Sequence, residues 1–344
     1  LFRRQGAVTL PVFFGIDGPE LRPEEQALFR EFNPFGFILF ARNLDTPTQT
    51  VGLVKALREA AGAEAPVLID QEGGRVQRFG PPHAPAYPPA AVYGLLATSD
   101  LTRAGETVRI GHALLGRDLA GLGIDVNCAP VLDLAMEEGH AVIGDRAFAG
   151  DPRVVAALGR AAMDGLGRAG VLPVVKHIPG HGRARADSHK QLPVVETPRQ
   201  VLEATDFVPF RVLRDAPVAM TAHVVYAALD ADLPVTVSAK AIREVVRGRI
   251  GFEGLLLSDD LCMGALTGAM EQRACAALTA GCDVVLHCSG NIDEMAAVAR
   301  AVPVMTDEAS ARWRSALTWL AARRAPEQVR SLEYRSFREC LPHG

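Results

Sequence analysis

Several things are missing from this chain, and each absence closes a door. There is no charge of one sign: 36 Lys and Arg stand against 40 Asp and Glu, a net charge of -4. Nucleic acid and anionic membrane surfaces therefore have no electrostatic footprint here. No apolar run approaches the roughly 18 residues a membrane span needs. The six cysteines (Cys128, Cys262, Cys275, Cys282, Cys288 and Cys340) never fall in C-x-x-C spacing. Several lie inside apolar runs, which reads as buried thiols in a reducing compartment rather than a disulfide frame or zinc knuckle. No G-x-G-x-x-G follows the first apolar run and no Walker A sequence occurs, so nucleotide-binding α/β folds lose their signature. No Gly-, Ser- or Pro-rich linker divides the chain. The N-terminal Leu1-Phe2-Arg3-Arg4 has no signal-peptide pattern, and the expected location is the cytoplasm.

What is present is a rhythm. The chain has 344 residues, 49% of them apolar and 22% charged, enough to bury a large core without staples. Near-continuous apolar runs at 8–16, 36–41, 66–70, 124–132, 171–177, 217–224, 254–259 and 283–288 read as eight strands covered on both faces. Helical stretches separate most of them, among them Pro23–Phe32, Thr46–Ala61, Leu101–Leu122, Pro152–Ala169, Arg199–Arg214, Ala239–Arg249 and Met270–Ala280. Pro47 and Pro198 stand near first turns, and Gly123 and Gly170 stop their helices. Eight strand–helix units predict one α/β domain, a single (β/α)8 TIM-type barrel over residues 1–344. A doubly wound open sheet is the alternative. The patch Pro81–Pro89 reads as an ordered loop, and the basic tail from about residue 320 as helix packed outside the barrel.

In a barrel the loops after the strands share one face. The runs end on Asp17, Arg42, Asp70, Asp133, Lys176 with His177, His223, Asp259 and His287. One ionisable group at a strand end means little, since strand ends are wet; eight in a row is harder to dismiss. Three segments stand out. I-D-Q-E-G-G-R-V-Q-R carries Asp70, Glu72, Arg75 and Arg78, and its Gly73-Gly74 pair permits a tight turn that folds Arg78 back. I-G-D-R-A-F places Arg146 beside Phe148. L-L-L-S-D-D-L-C-M puts Asp259 and Asp260 just past an apolar strand, where one of two adjacent carboxylates must point elsewhere. The most informative stretch is V-V-K-H-I-P-G-H-G-R-A-R-A-D-S-H, a strand delivering Lys176 and His177 to a loop with His181, Asp187 and His189.

Two chemistries compete for these groups. The histidines with Asp187 have metal-ligand character, but Pro179-Gly180 breaks the helix that would align His177 with His181, and Lys176 adds a cation beside any ion. Neither a metal nor a cofactor is expected. Glycosidic bond cleavage needs an anionic nucleophile, a proton donor and groups for the sugar hydroxyls. Asp259 fits the first role and Asp70, Arg78, Arg146, Lys176 and His177 the last. His189, beside Asp187, fits the donor, because an Asp partner raises a histidine's pKa and sets its tautomer.

K-H-I-P-G-H-G followed by D-S-H, with I-D-Q-E-G-G-R-V-Q-R, I-G-D-R-A-F and S-D-D-L-x-M, resembles the β-N-acetylglucosaminidases of glycoside hydrolase family 3, NagZ type, from about Phe13 to about Ser289. The resemblance implies a one-domain (β/α)8 barrel in the cytoplasm, working as a monomer. It implies a retaining exo-β-N-acetylglucosaminidase that removes non-reducing GlcNAc from GlcNAc-1,6-anhydroMurNAc muropeptides in peptidoglycan recycling, and so serves cell-wall biogenesis, cell shape and cell division. It makes Asp259 the nucleophile, His189 the acid/base and Asp187 its partner, with Asp70, Arg78, Arg146, Lys176 and His177 holding the sugar. The 180–186 loop is expected to move and to close over bound sugar. A phosphorylase on the same scaffold, or a barrel that only binds sugar, remain as alternatives.

Overall fold

The computed structural model describes residues 9–62 and 64–342. The Leu1–Arg4 segment and Val8, the first residue of the expected first strand, lie outside the described residues. Eight parallel strands close into a barrel: β1 Leu10–Gly15, β2 Pro34–Leu39, β3 Val67–Ile69, β4 Val126–Asn127, β5 Leu172–Ile178, β6 Val218–Thr221, β7 Leu255–Asp260 and β8 Val284–His287. They neighbour one another in sequence order, and β1 closes onto β8 with Val12 opposite Val285. All eight apolar runs of the sequence therefore became barrel strands.

The unbroken apolar runs have a physical reason. Alternate residues face opposite sides of a strand, and here both sides are dry. Phe13, Ile38, Leu68, Val174, Met220, Leu257 and Leu286 pack inside the barrel. Val12, Phe37, Ile69, Val175, Ala219, Leu256 and Val285 belong to the layer between barrel and helices. Each of these side chains larger than Ala219 contributes about 1.5–3 kcal/mol on burial. Trp313, on the helix Asp307–Ala321, meets Phe35 edge-on at 5.0 Å, and Phe35 meets Phe13 at 5.2 Å. Those aromatic contacts plug the end where the strands begin. The opposite end, where they stop, is left for the site.

Helix ends follow local chemistry. Thr46, Asp100 and Asp151 accept backbone N–H groups at the starts of Pro47–Ala61, Leu101–Gly121 and Pro152–Ala169. Gly123 and Gly170 take positive φ of 80° and 88° just past two helices. Three stretches differ from the expectation. The single helix expected over Arg199–Arg214 is two, Arg199–Ala204 and Phe207–Val212. Asp206 turns inward at the break to accept from Arg183 Nε at 2.7 Å, and Pro209 has no N–H for the ladder. The strand expected at 124–132 is laddered only over Val126–Asn127, with an isolated bridge from Val131 to Lys176, because Pro130 cannot donate. Ile242–Arg249 winds as a wide helix in which Ile250 N–H reaches back to Val245 O at 2.8 Å.

Two segments outside the barrel wall matter for the mouth. In the Pro81–Pro89 loop, Tyr87 is buried and donates its hydroxyl to Asp118 at 2.7 Å. In the tail, Val329 and Phe337 are buried, and Arg117 donates to Leu332 O at 2.8 Å. Between these lies the helix Ala90–Ala97, whose Gly94 faces the backbone of Phe148 so closely that a Cβ would sit 1.6 Å from the Phe148 carbonyl oxygen. That contact positions the loop bearing Arg146. Gly94→Ala should therefore destabilise the fold by about 2 kcal/mol despite alanine's better helix propensity. Urea denaturation checks this, and an unchanged midpoint would show that the loop yields freely.

Candidate active site

At the ends of the strands lies a cavity of about 280 Å³. Asp70, Arg78, Arg146, Lys176, His177, His189 and Asp259 all line it, although they come from strand ends and loops far apart in the sequence. Asp187 stands behind His189. Phe40, Met220, Met263 and Leu286 add apolar wall.

A charge network forms its floor. Lys176 is 2% exposed, and its Nζ lies 2.8 Å from Asp70 Oδ1 and 2.7 Å from Glu72 Oε1. Arg146 donates to both oxygens of Glu72, Nε to Oε2 and Nη2 to Oε1, each at 2.8 Å. Burial alone would push the Glu72 carboxyl up, but the Lys176 and Arg146 cations hold it well below the usual carboxylate range. Burial likewise opposes the Lys176 charge, and Asp70 and Glu72 outweigh it, raising the ammonium above the ordinary lysine range. Gly73 and Gly74, with φ of 102° and 57°, turn the chain tightly and bring Arg78 back to pair with Asp70 at 3.6 Å and lie over the Phe40 ring. A side chain at Gly73 would strike the Pro88 carbonyl oxygen.

Buried Asp133 organises the histidine loop. It accepts from the backbone N–H of both His177 (3.1 Å) and His181 (2.6 Å), and its Oδ2 lies 2.6 Å from His177 Nδ1. A carboxylate there assigns the proton to Nδ1 and leaves His177 Nε2 for the cavity. His181 contacts Ser188 Oγ through Nε2 at 3.1 Å and is depressed to about 4, first by burial and then by His177. The loop then reaches Asp187, whose Oδ1 accepts from the His189 N–H at 3.0 Å and sits 2.9 Å from His189 Nδ1. Slight burial raises the Asp187 carboxyl, but the His189 amide and ring outweigh this and lower it.

The loop expected to swing is docked on the mouth. Gly264 N–H donates to His189 O at 3.1 Å and Ala265 N–H to Ser188 O at 3.1 Å, while His140 N–H holds Ala184 O at 2.8 Å. Gly182 sits where a Cβ would meet the Leu134 carbonyl oxygen at 2.1 Å. His189 consequently shares the cavity with Asp259.

Asp259 leaves β7 with its Oδ1 accepting the Asp260 N–H at 2.8 Å. Burial would raise it; His223 and His177, that amide and Lys176 bring it down to about 2. Asp260 is tied into the rim instead, accepting from Cys262 N–H (2.9 Å) and Cys288 N–H (3.2 Å). His223 spans Thr236 Oγ1 at 2.7 Å and the Asp260 carbonyl at 2.9 Å, so its Nε2 carries the proton. Other strand-end groups go elsewhere. Asp17 pairs with Arg22 at 3.2 Å, Arg42 donates to the Ile16 and Cys288 carbonyls, and His287 faces outward to Glu294. Glu72 had no assigned role in the sequence reading, yet it is the counter-ion of two site cations. Its only signal was an acidic residue between Asp70 and two arginines.

Glu72→Gln keeps the side-chain volume but removes that counter-ion. Breaking a buried pair on one side typically costs about 3–5 kcal/mol, and the variant should lose stability of that order. The Glu72 carboxyl is lowered on folding, so its contribution is complete above its ordinary value of about 4.5 and is lost as pH falls through the depressed folded value. Urea melts of both proteins should thus differ most near neutral pH and converge in acid; a gap independent of pH would count against the ionic origin.

Known proteins match this chain over most of its length. The family described as the Glycosyl hydrolase family 3 N terminal domain matches residues 13–314. A beta-hexosaminidase of Tolumonas auensis is 41% identical over 291 residues, covering 83% of this chain and 85% of its own. One of Alkalilimnicola ehrlichii is 40% identical over 297 residues, covering 85% and 84%. Native NagZ from Neisseria gonorrhoeae superposes with a TM-score of 0.84 at 31% identity, over 97% of this chain and 96% of that one; its complex with N-trifluoroacetyl-D-glucosamine gives 0.86. The chain belongs to glycoside hydrolase family 3, and it matches the NagZ-type members over nearly its whole length and not over the barrel alone.

Proposed function

We propose that this chain is a retaining exo-β-N-acetylglucosaminidase, all 344 residues forming one catalytic domain. The observation that carries the reading is that the Asp259 carboxylate and the Asp187-supported His189 ring open onto one cavity. Asp259, depressed to about 2, is the nucleophile. It attacks the anomeric carbon while His189 gives a proton to the departing glycosidic oxygen, leaving a glycosyl ester on Asp259. His189, now neutral, takes a proton from water as that water displaces the ester, and configuration is retained overall. Family 3 chemistry of this kind replaces the usual second carboxylate by an imidazole. Asp187 holds the ring through Nδ1, so Nε2 handles the proton.

The cavity's size supports exo action, since about 280 Å³ suits one sugar ring and not a chain. Lys176, Arg78 and Arg146 present donors to its hydroxyls and acetamide, Asp70 presents acceptors, and His177 offers Nε2. The likeness to beta-hexosaminidases and to NagZ bound to an N-acylglucosamine supports N-acetylglucosamine in that seat. The aglycone is proposed to be 1,6-anhydro-N-acetylmuramic acid, with or without its stem peptide. The enzyme would then act as a cytoplasmic monomer in peptidoglycan recycling and, through it, in cell-wall biogenesis and division. This reading assigns no metal and no cofactor to the catalytic step.

Asp259→Ala should lower kcat on an aryl N-acetylglucosaminide by about 10⁴-fold or more; near-normal turnover would remove the nucleophile. His189→Ala should cost about 10²–10⁴-fold on substrates with poor leaving groups and far less on activated aryl glycosides. Equal losses on both would argue against proton donation. Turnover should be indifferent to added phosphate, and a phosphate-dependent rate yielding sugar 1-phosphate would favour a phosphorylase. Because Asp259 titrates near 2, it stays ionised throughout the usual assay range. Any acid limb of kcat/KM above pH about 4 should therefore survive in Asp259→Glu.

A further inference from the structure

Outside the cavity, on the outer side of the barrel rim, lies a second set of reactive side chains that the glycosidase chemistry leaves unused. Cys262 follows the β7 carboxylates, His287 ends β8, and Glu294 stands in the first turn of the helix Ile292–Ala301. Among the described residues these three form a group whose sulfur, ring-nitrogen and carboxylate-oxygen donors all lie within 4.8 Å of one another. His287 is fully buried, and its Nε2 sits 3.1 Å from Glu294 Oε2. Its Nδ1 is buried with no hydrogen-bond partner, an arrangement that buried imidazoles seldom tolerate. Ser289 Oγ, 2.8 Å from Glu294 Oε2 and 3.4 Å from His287 Nε2, adds a fourth oxygen at the same place.

We propose that Cys262, His287 and Glu294 bind a divalent transition-metal ion of borderline softness, of which zinc is the type. Donor chemistry makes the choice. One thiolate, one imidazole and one carboxylate suit zinc or cobalt and are poor company for magnesium or calcium, which take oxygen alone. Tetrahedral zinc, with bonds of about 2.0–2.3 Å, needs donors roughly 3.3–3.8 Å apart, within side-chain rotation of the spacing seen. Binding forms a metal–sulfur bond, breaks the Cys262 S–H bond and releases that proton to solvent. No electron moves. Ser289 or a water completes the shell. The ion would join the loop that follows Asp259 and Asp260 to the end of β8 and the following helix. It would thus clamp the rim behind the cavity, apart from the Asp187–His189 pair.

The probe is Co²⁺, added to the purified full-length protein under reducing conditions. A single equivalent should produce visible bands of tetrahedral cobalt and a near-ultraviolet thiolate-to-metal band, and zinc should displace both. Cys262→Ser should abolish the thiolate band. Glu294→Gln, at a partly exposed position, should weaken cobalt binding by at least about ten-fold. His189→Ala should retain the full spectrum. The proposal is overturned if no thiolate band appears, or if the band persists in Cys262→Ser. It is equally overturned if the spectrum is lost in His189→Ala and kept in Glu294→Gln, which would place the ion in the cavity. None of these readouts depends on glycosidase turnover.

Discussion

A buried ammonium holds the mouth of this barrel together. Lys176, 2% exposed at the end of β5, would be untenable without Asp70 and Glu72 within 2.8 Å. Those two carboxylates come from the end of β3 and the hairpin beyond it. Glu72 in turn grips Arg146, which arrives from the loop before the helix Pro152–Ala169. One interaction thereby fixes three chain segments and sets the sign of the local field. Asp259 lies in that field with His223 and His177, which is why a buried carboxylate stays ionised where burial alone would neutralise it.

Asp133 performs a parallel task for the loop after β5. By accepting from the amides of His177 and His181 it pins both ends of the Ile178–Gly180 turn. By facing His177 Nδ1 it also decides which nitrogen that ring offers to the cavity. The loop beyond is held by two ion pairs, Arg183 with Asp206 and Arg185 with Glu138, together with backbone contacts. Gly182 and Gly264 supply the clearance these need, since a Cβ at either position would press on a carbonyl oxygen. His189 reaches the cavity because two glycines permit the approach and two amides secure it.

The fold was legible because burial on both faces writes itself into composition. Phe13 and Phe14 are adjacent and both dry, one inside the barrel and one outside, so the run needs no alternation. Helix starts at Pro23, Pro47 and Pro152 were readable for a local reason, the fixed φ of proline in a first turn. The break at Thr205–Asp206 was not, because it answers to Arg183, more than twenty residues away. Pro130 shortened β4 in a way its apolar neighbours concealed.

For the site, sequence determined the inventory: which carboxylates, cations and imidazoles stand at strand ends, and the motif strings that tie them to a family. Chemistry of this kind is local, and a residue's type and its place after an apolar run are enough to nominate it. Only tertiary structure decided among the nominees. His287 and Asp259 occupy like positions at neighbouring strand ends, yet one faces the helix layer and the other the cavity. Side-chain alternation makes a shift of one residue a change of side. Glu72 went without a role for a related reason: its importance lies in two cations that stand 74 and about a hundred residues away in the chain. Electrostatic coupling depends on distance through space, which a linear string does not record until the barrel closes.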